Sequence, residues 1–168
     1  QESFSEFINK MRIVPVAISY ELDPCDGAKA KELYEKATHG YYQKGEHEDV
    51  TSIALGISGD KDHVHVSFGE PLQGEFSNAD DVAAAIDQQI FANYALQPTN
   101  FIAHKMLHGS YPEGVYSDQR KPFSIKGLES VEQAFQKRIA ALPVEHQPYA
   151  LGIYANPIDR IRERQAQG

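Results

Sequence analysis

The chain has little of several residue types, and each shortage excludes a class of protein. It contains no tryptophan and a single cysteine, Cys25. One cysteine excludes an internal disulfide framework and is compatible with a reducing cytoplasm. No apolar run approaches the roughly 20 residues that span a bilayer. Basic residues are outnumbered, 16 against 24 acidic residues, and the formal net charge is −8. Such a field repels a phosphate backbone, so we expect no nucleic-acid partner.

Two local groups of basic residues contrast with the negative net charge. Three common catalytic or binding motifs are also absent from the sequence. We interpret both groups as solvated faces; they are Arg120, Lys121 and Lys126, and Arg160, Arg162 and Arg164. The sequence has no Gly-x-Ser-x-Gly turn, no phosphate-binding glycine loop and no dinucleotide-binding glycine pattern. The first residues lack the features of a secretory signal, and we interpret Gln1 as a cut end.

Apolar patterns predict an α/β (α+β) fragment with a small mixed β-sheet, followed by a helical C-terminal extension. The segment from Ile13 to Tyr20 is apolar and β-branched, as in a strand covered on both faces. Thr51 to Ser58 and His63 to Phe68 are predicted to form an antiparallel hairpin through the short polar segment 59–62. Apolar spacings of three and four predict helices elsewhere, at 3–11, 28–38, from Ser77 up to Pro98, 99–107, 128–142 and from Asn156-Pro157 onward.

The seven histidines raise the question of a metal site. His63 and His65 share one face of a predicted strand, and His104 and His108 lie one turn apart on a predicted helix. Each pair could supply two ligands, but the sequence identifies no third. We therefore predict no metal and no cofactor, and a metal-dependent hydrolase is the least favoured interpretation.

Two separate segments carry a resemblance to a known family. Residues 13–18, Ile-Val-Pro-Val-Ala-Ile, resemble the fourth conserved block of the glycerol-phosphate and lysophosphatidate acyltransferases, a Val-Pro-Val type strand beyond the active site. Residues 64–72, Val-His-Val-Ser-Phe-Gly-Glu-Pro-Leu, are similar to the family's following strand, which typically ends in Phe-Gly-Glu-Pro and an aliphatic residue. Residues 20–26, Tyr-Glu-Leu-Asp-Pro-Cys-Asp, further resemble a bacterial subgroup of these enzymes.

The resemblance implies that 1–72 is the C-terminal portion of an acyltransferase core and that 73–168 is a helical extension packed on it. It implies transfer of an acyl group from acyl-CoA or acyl carrier protein to a glycerol phosphate or lysophospholipid in phospholipid synthesis. The expected location is the cytoplasm or the cytoplasmic face of the inner membrane, because full-length relatives act at a membrane surface. Val14, Pro15 and Val16 are candidates for one wall of an acyl-chain channel, although simple core packing explains them equally well.

The family's catalytic pair is a histidine, the base, and an aspartate separated from it by four residues. No histidine here has an aspartate at that offset; His65 and His108 have Glu70 and Glu113 there, and we interpret both as coincidences. The family's arginine-bearing and Glu-Gly-Thr-Arg-type blocks are also missing. We therefore expect the base and the acceptor site upstream of Gln1, no catalytic residue in this chain and no activity of the fragment. The alternative is a non-catalytic α/β module that binds a partner or lipid.

Without upstream strands, the first predicted strand would expose an edge and an apolar face. An unpaired edge promotes pairing with another chain, and a bare apolar face promotes association. The sequence therefore predicts homo-oligomers through Ile13 to Ile18. The alternative is that the predicted helix from Ser3 to Met11 covers the face.

Overall fold

The computed structural model describes residues 2–118, 121–122, 124 and 127–167. Within these ranges the chain forms seven helices and four short strands. The helices are α1 (Phe4–Met11), α2 (Asp26–His39), α3 (Glu48–Ser58), α4 (Ala79–Asn93), α5 (Pro98–His108), α6 (Glu129–Ala140) and α7 (Gln147–Gln167). The strands are β1 (Val16–Tyr20), β2 (Val64–Phe68), β3 (Tyr116–Asp118) and β4 (Lys121–Pro122). The predicted fold class, a small sheet with helices and a helical C-terminal region, is confirmed.

The chain divides into two compact units, and each unit combines two separate stretches of sequence. The first unit comprises Gln1–Ser19 and Val64–Ala95, and the second comprises Tyr20–His63 and Leu96–Gly168. A boundary near residue 72 between a core and a helical extension stays a prediction. In the part of the chain that the structure describes, no helix has the length and apolar character needed to cross a membrane.

The first unit is built around a small apolar core. A capping box starts α1, in which the Ser3 hydroxyl accepts from the Glu6 amide and the Glu6 carboxylate accepts from the Ser3 amide. The core joins α1 and α4 to the loop that follows β2. Its buried members are Ile8, Leu72, Phe76 and Val82.

Strands β1 and β2 form an antiparallel pair, so β2 has a different partner from the one predicted. The Gly69 amide donates to the Pro15 carbonyl at 2.8 Å, and the Leu72 amide donates to the Ile13 carbonyl at the same distance. Each strand pairs with the other alone in the described residues. A second pair, β3 with β4, is also antiparallel.

The prediction of a strand from Thr51 to Ser58 is wrong, because this segment belongs to α3. Acidic residues fill the first turn of α3, where they favour the positive end of the helix dipole. The backbone amide and the hydroxyl of Thr51 both bond to the His47 carbonyl. The periodicity of a short apolar run does not distinguish a strand from a helix. The predicted hairpin therefore does not form, and residues 59–62 connect a helix to a strand.

Helices α1, α2, α4, α5 and α6 confirm the predicted helical segments to within a few residues at each end. Gly40 and Gly109 end α2 and α5 in the left-handed backbone region, with φ of 79° and 82°. Pro98 was expected to close the preceding helix. It instead occupies the first turn of α5, where its missing amide hydrogen costs nothing.

The start of the terminal helix was predicted wrongly. Helix α7 begins at Gln147, and Pro157 lies inside it rather than in its first turn. A proline in a helix interior costs about 3 kcal/mol, so packing has to offset that cost. The α7 residues that provide this packing are buried at spacings of three and four, and they are Ala150, Leu151, Tyr154, Ala155 and Ile158. Four of them, all except Ile158, join Ile102, Phe135 and Ile139 in the core of the second unit.

Candidate functional site

The two sequence blocks that resemble the acyltransferase family lie side by side in the first unit. They are joined by the hydrogen bonds from Gly69 to Pro15 and from Leu72 to Ile13. The Gln89 side chain on α4 holds the turn after β2, accepting from the Glu70 amide at 2.7 Å and donating to the Glu70 carbonyl at 3.0 Å. A Cβ at Gly69 would meet this amide and would lie 3.3 Å from the Pro15 carbonyl oxygen. A side chain at this position would therefore have to displace the Gln89 amide and would fit tightly against the Pro15 carbonyl.

The three acyl-channel candidates divide between the two faces of the strand. Val14 and Val16 are exposed, whereas Pro15 is buried on the opposite face with Ala17 and Ser19. Successive side chains of a strand point to opposite faces. The structure therefore places two of the candidates together and separates the third from them.

A continuous apolar surface covers the exposed side of the β1–β2 pair. The bond between residues 15 and 69 places Val16 opposite Phe68 and Ile18 opposite Val66, and opposed residues share a face. We call this surface the apolar sheet face; its members are Val14, Val16, Ile18, Val64, Val66 and Phe68. Their exposed fractions run from 37% at Val16 to 72% at Phe68.

Helix α1 does not cover the apolar sheet face. Its Ile8 side chain packs into the core with Leu72 and Phe76. Its Ser5 and Asn9 side chains each donate to the Gly74 carbonyl at 2.9 Å, on the loop after β2. The expected alternative, in which the N-terminal helix shields the first strand, is not the arrangement observed.

In the second unit, the segment that resembles the bacterial subgroup forms a buried polar network. The Asp26 carboxylate accepts from Arg138 Nε and from the Tyr154 hydroxyl, both at 2.7 Å. Arg138 also donates to the Asp23 carbonyl, and the Asp23 amide donates to the Tyr154 hydroxyl oxygen. Burial, and then the charge of Asp26, raises the pKa of Tyr154 well above its usual value. The network ties the turn before α2 to α6 and α7, which indicates a structural role.

A cavity of roughly 310 Å³ lies beside this network in the second unit. Its polar lining includes Glu21, Asp62, Thr99, Ser130 and Arg138. The Glu21 carboxylate is buried and lies 2.5 Å from Nδ1 of His63, whose side chain is 79% exposed. Sequence reasoning missed this pair because its members are 42 residues apart.

The contact with Glu21 orients the His63 ring and affects its protonation. The Glu21 carboxylate raises the pKa of His63, first by accepting its hydrogen bond and then by its charge, and Asp62 adds to the effect. The pair therefore ties the connection before β2 to the residue that follows β1.

We expect the contribution of His63 to stability to depend on pH. Its pKa is raised in the folded chain, so the contribution is complete below the unfolded value of about 6.5 and disappears as pH rises through the folded value. His63→Ala should therefore lower the urea midpoint more at pH 6 than at pH 9. The control is His65→Ala, an exposed residue of β2 on the face opposite Val64 and Val66, and an equal loss at both pH values would contradict the ion pair.

The structure also places the other histidines that were considered as metal ligands. His104 and His108 lie on α5 as predicted, and Asp159 of α7 joins them in a group whose potential ligand atoms lie within 4.8 Å of one another. His65 belongs to no such group in the described residues.

Only the second of the two basic groups lies within the part of the chain whose side chains the structure describes. Arg120 and Lys126 lie outside the described residues, and only the backbone of Lys121 is described. The second group lies on α7, where Arg160 pairs with Glu163 at 2.9 Å and both side chains are more than half exposed. An exposed pair of this kind is typical of a solvated face.

Comparison with known proteins gives no family for this chain. No protein-family model, no curated protein and no solved structure matches this chain. The paired blocks of β1 and β2 and the bare apolar face that they share are the features that a function has to explain.

Proposed function

We propose that this chain is the C-terminal part of a bacterial glycerolipid acyltransferase. The complete enzyme would transfer an acyl group from acyl-CoA or acyl carrier protein to a glycerol phosphate or lysophospholipid, at the cytoplasmic face of the inner membrane. The observation that carries the proposal is the pairing of the two family-like blocks through Pro15 and Gly69, with an apolar face left bare beside them.

The apolar sheet face has the chemistry of an acyl-chain wall. All six of its side chains are hydrocarbon, and it contains two cross-strand pairs, Val16 with Phe68 and Ile18 with Val66. Each methylene group of an acyl chain that leaves water for such a surface gains about 0.8 kcal/mol. Val14 and Val16 would line the channel, whereas buried Pro15 would support the strand from behind.

The reacting groups belong to another part of the proposed enzyme. The acceptor hydroxyl oxygen attacks the thioester carbonyl, the carbon–sulfur bond breaks, and the hydroxyl proton passes through a base to the departing thiolate. This step needs a base within hydrogen-bond reach and cations on the acceptor phosphate. We place both in residues that precede Gln1, because no histidine of this chain is followed, after four intervening residues, by an aspartate.

Activity should therefore require the protein encoded by the complete reading frame. That protein should contain a histidine and an aspartate separated by four residues before Gln1 and should transfer acyl groups from acyl-CoA to lysophosphatidate or glycerol 3-phosphate. The purified 168-residue chain should be at least about 10⁴-fold less active, because it lacks the base and the oxyanion and phosphate contacts. The activity of the complete protein and of the 168-residue chain is measured by the release of free thiol and by the transfer of acyl groups to radiolabelled acceptor.

A substitution on the apolar sheet face tests the channel within the complete protein. Val16→Phe should lower kcat/KM for long acyl chains more than for short ones, because the added ring occupies the proposed path of the chain. Val144→Phe is the control, since Val144 is 76% exposed and lies outside this face. Transfer by the 168-residue chain alone, or a complete protein without the histidine–aspartate block, would overturn the proposal. The second result would favour a non-catalytic lipid- or partner-binding module.

A further inference from the structure

Three potential metal ligands lie close together in the second unit. None of them belongs to the apolar sheet face. His104 and His108 lie one turn apart on α5, with ring centroids separated by 4.5 Å. Asp159 on α7 completes the group, and one ligand atom from each residue lies within 4.8 Å of the other two. Two imidazoles and a carboxylate form a common donor set for zinc.

The hydrogen bonding of His104 prepares it to bind a metal ion. Its side chain is buried, and its Nδ1 lies 3.1 Å from the carbonyl oxygen of Ser110. Because a carbonyl can only accept, Nδ1 carries the proton and the lone pair is on Nε2. Gly109, with φ of 82°, turns the chain at the end of α5 and precedes this carbonyl. Metal-binding histidines usually have such a partner on their second ring nitrogen.

We propose that His104, His108 and Asp159 bind a divalent transition-metal ion, with zinc as the best match. Imidazole nitrogen favours zinc, nickel or cobalt over magnesium and calcium, which prefer oxygen ligands. Ligand atoms about 2.1 Å from a tetrahedral ion lie about 3.4 Å apart, so a small rotation of the side chains closes the group. His108 is exposed and Asp159 is half-buried, which leaves an entry path and a fourth position for water.

A bound ion would link α5 to α7, and these two helices supply much of the second unit's core. Ile102 and Ala103 of α5 pack in one cluster with Ala150, Leu151 and Tyr154 of α7. An ion that binds only when both helices are in place stabilises the folded chain. The proposed ion is therefore structural: it stabilises the second unit. This role does not depend on whether the complete protein transfers acyl groups.

The test is titration of the metal-free 168-residue chain with zinc chloride in a calorimeter. We expect one ion per chain and, at about 100 times the dissociation constant, a rise in Tm of about 5 °C or more. Cobalt chloride should give the visible absorption of a four-coordinate ion with nitrogen ligands. Absence of binding at micromolar zinc would overturn the proposal.

Three variants identify the residues responsible. His108→Ala and Asp159→Asn should each weaken zinc binding at least about tenfold and abolish the cobalt spectrum, and both positions tolerate change because neither is fully buried. His63→Ala is the control, since His63 belongs to the second possible metal group, with Glu21 and Asp62. Binding that survives the first two changes, or that is lost with His63→Ala, would contradict the assignment. Circular dichroism confirms that each variant is folded.

Discussion

Replacement of Arg138 by methionine is expected to lower the free energy of unfolding by about 3 kcal/mol. The substitution keeps an apolar stem but leaves the buried Asp26 carboxylate without the cation that lies 2.7 Å away. Removal of one partner of a buried pair costs about 3–5 kcal/mol, and the lower end applies because Arg138 is 31% exposed. Urea denaturation followed by circular dichroism measures the loss.

Arg160→Met is the matched control for this effect. Arg160 also forms an ion pair, with Glu163, but both partners are more than half exposed, so its removal should change stability by about 0.5 kcal/mol or less. Combining Arg138→Met with Asp26→Asn should cost less than the sum of the two single changes, because no unpaired charge then remains in the interior. Equal losses for Arg138→Met and Arg160→Met would show that the network does not stabilise the second unit.

The second large effect is expected on self-association of the isolated chain. The apolar sheet face presents six exposed hydrocarbon side chains, and β1 has one unpaired edge in the described residues. Burial of several hundred Å² of such surface at about 25 cal/mol per Å² supplies several kcal/mol. We therefore expect a second copy to cover the face, with dimers or larger species in light scattering and binding of a hydrophobic dye by any remaining monomer.

Val16→Lys should weaken this association roughly 100-fold, because dimerisation would then bury an ammonium group in an apolar interface. Val144→Lys is the appropriate control, as Val144 is equally apolar, 76% exposed and outside the sheet face. Val82 is not a suitable control, because it lies in the core of the first unit and its replacement would also lower the stability of the fold. A monodisperse chain that binds no dye would contradict the exposed-face account.

The predictions that depended on local sequence were mostly correct. Helices α2 and α5 end at Gly40 and Gly109, because glycine adopts the left-handed backbone conformation that commonly ends a helix. The alternation of apolar residues also predicted β2. The strand assigned to Thr51 to Ser58 failed, because Val50, Ile53 and Ile57 fit the period of a helix as well as the composition of a strand, and all three remain exposed in α3.

By itself, the sequence determined where most helices lie and which glycines end α2 and α5. Only the tertiary structure decided that β2 pairs with β1, that Glu21 holds His63 and that Asp159 joins His104 and His108. Helix periodicity and capping act between residues a few positions apart, so they can be read along the chain. The pairing of β1 with β2 and the contacts of Glu21 with His63 and of Asp26 with Arg138 join residues about 40 or more positions apart, and packing of the whole unit selects them.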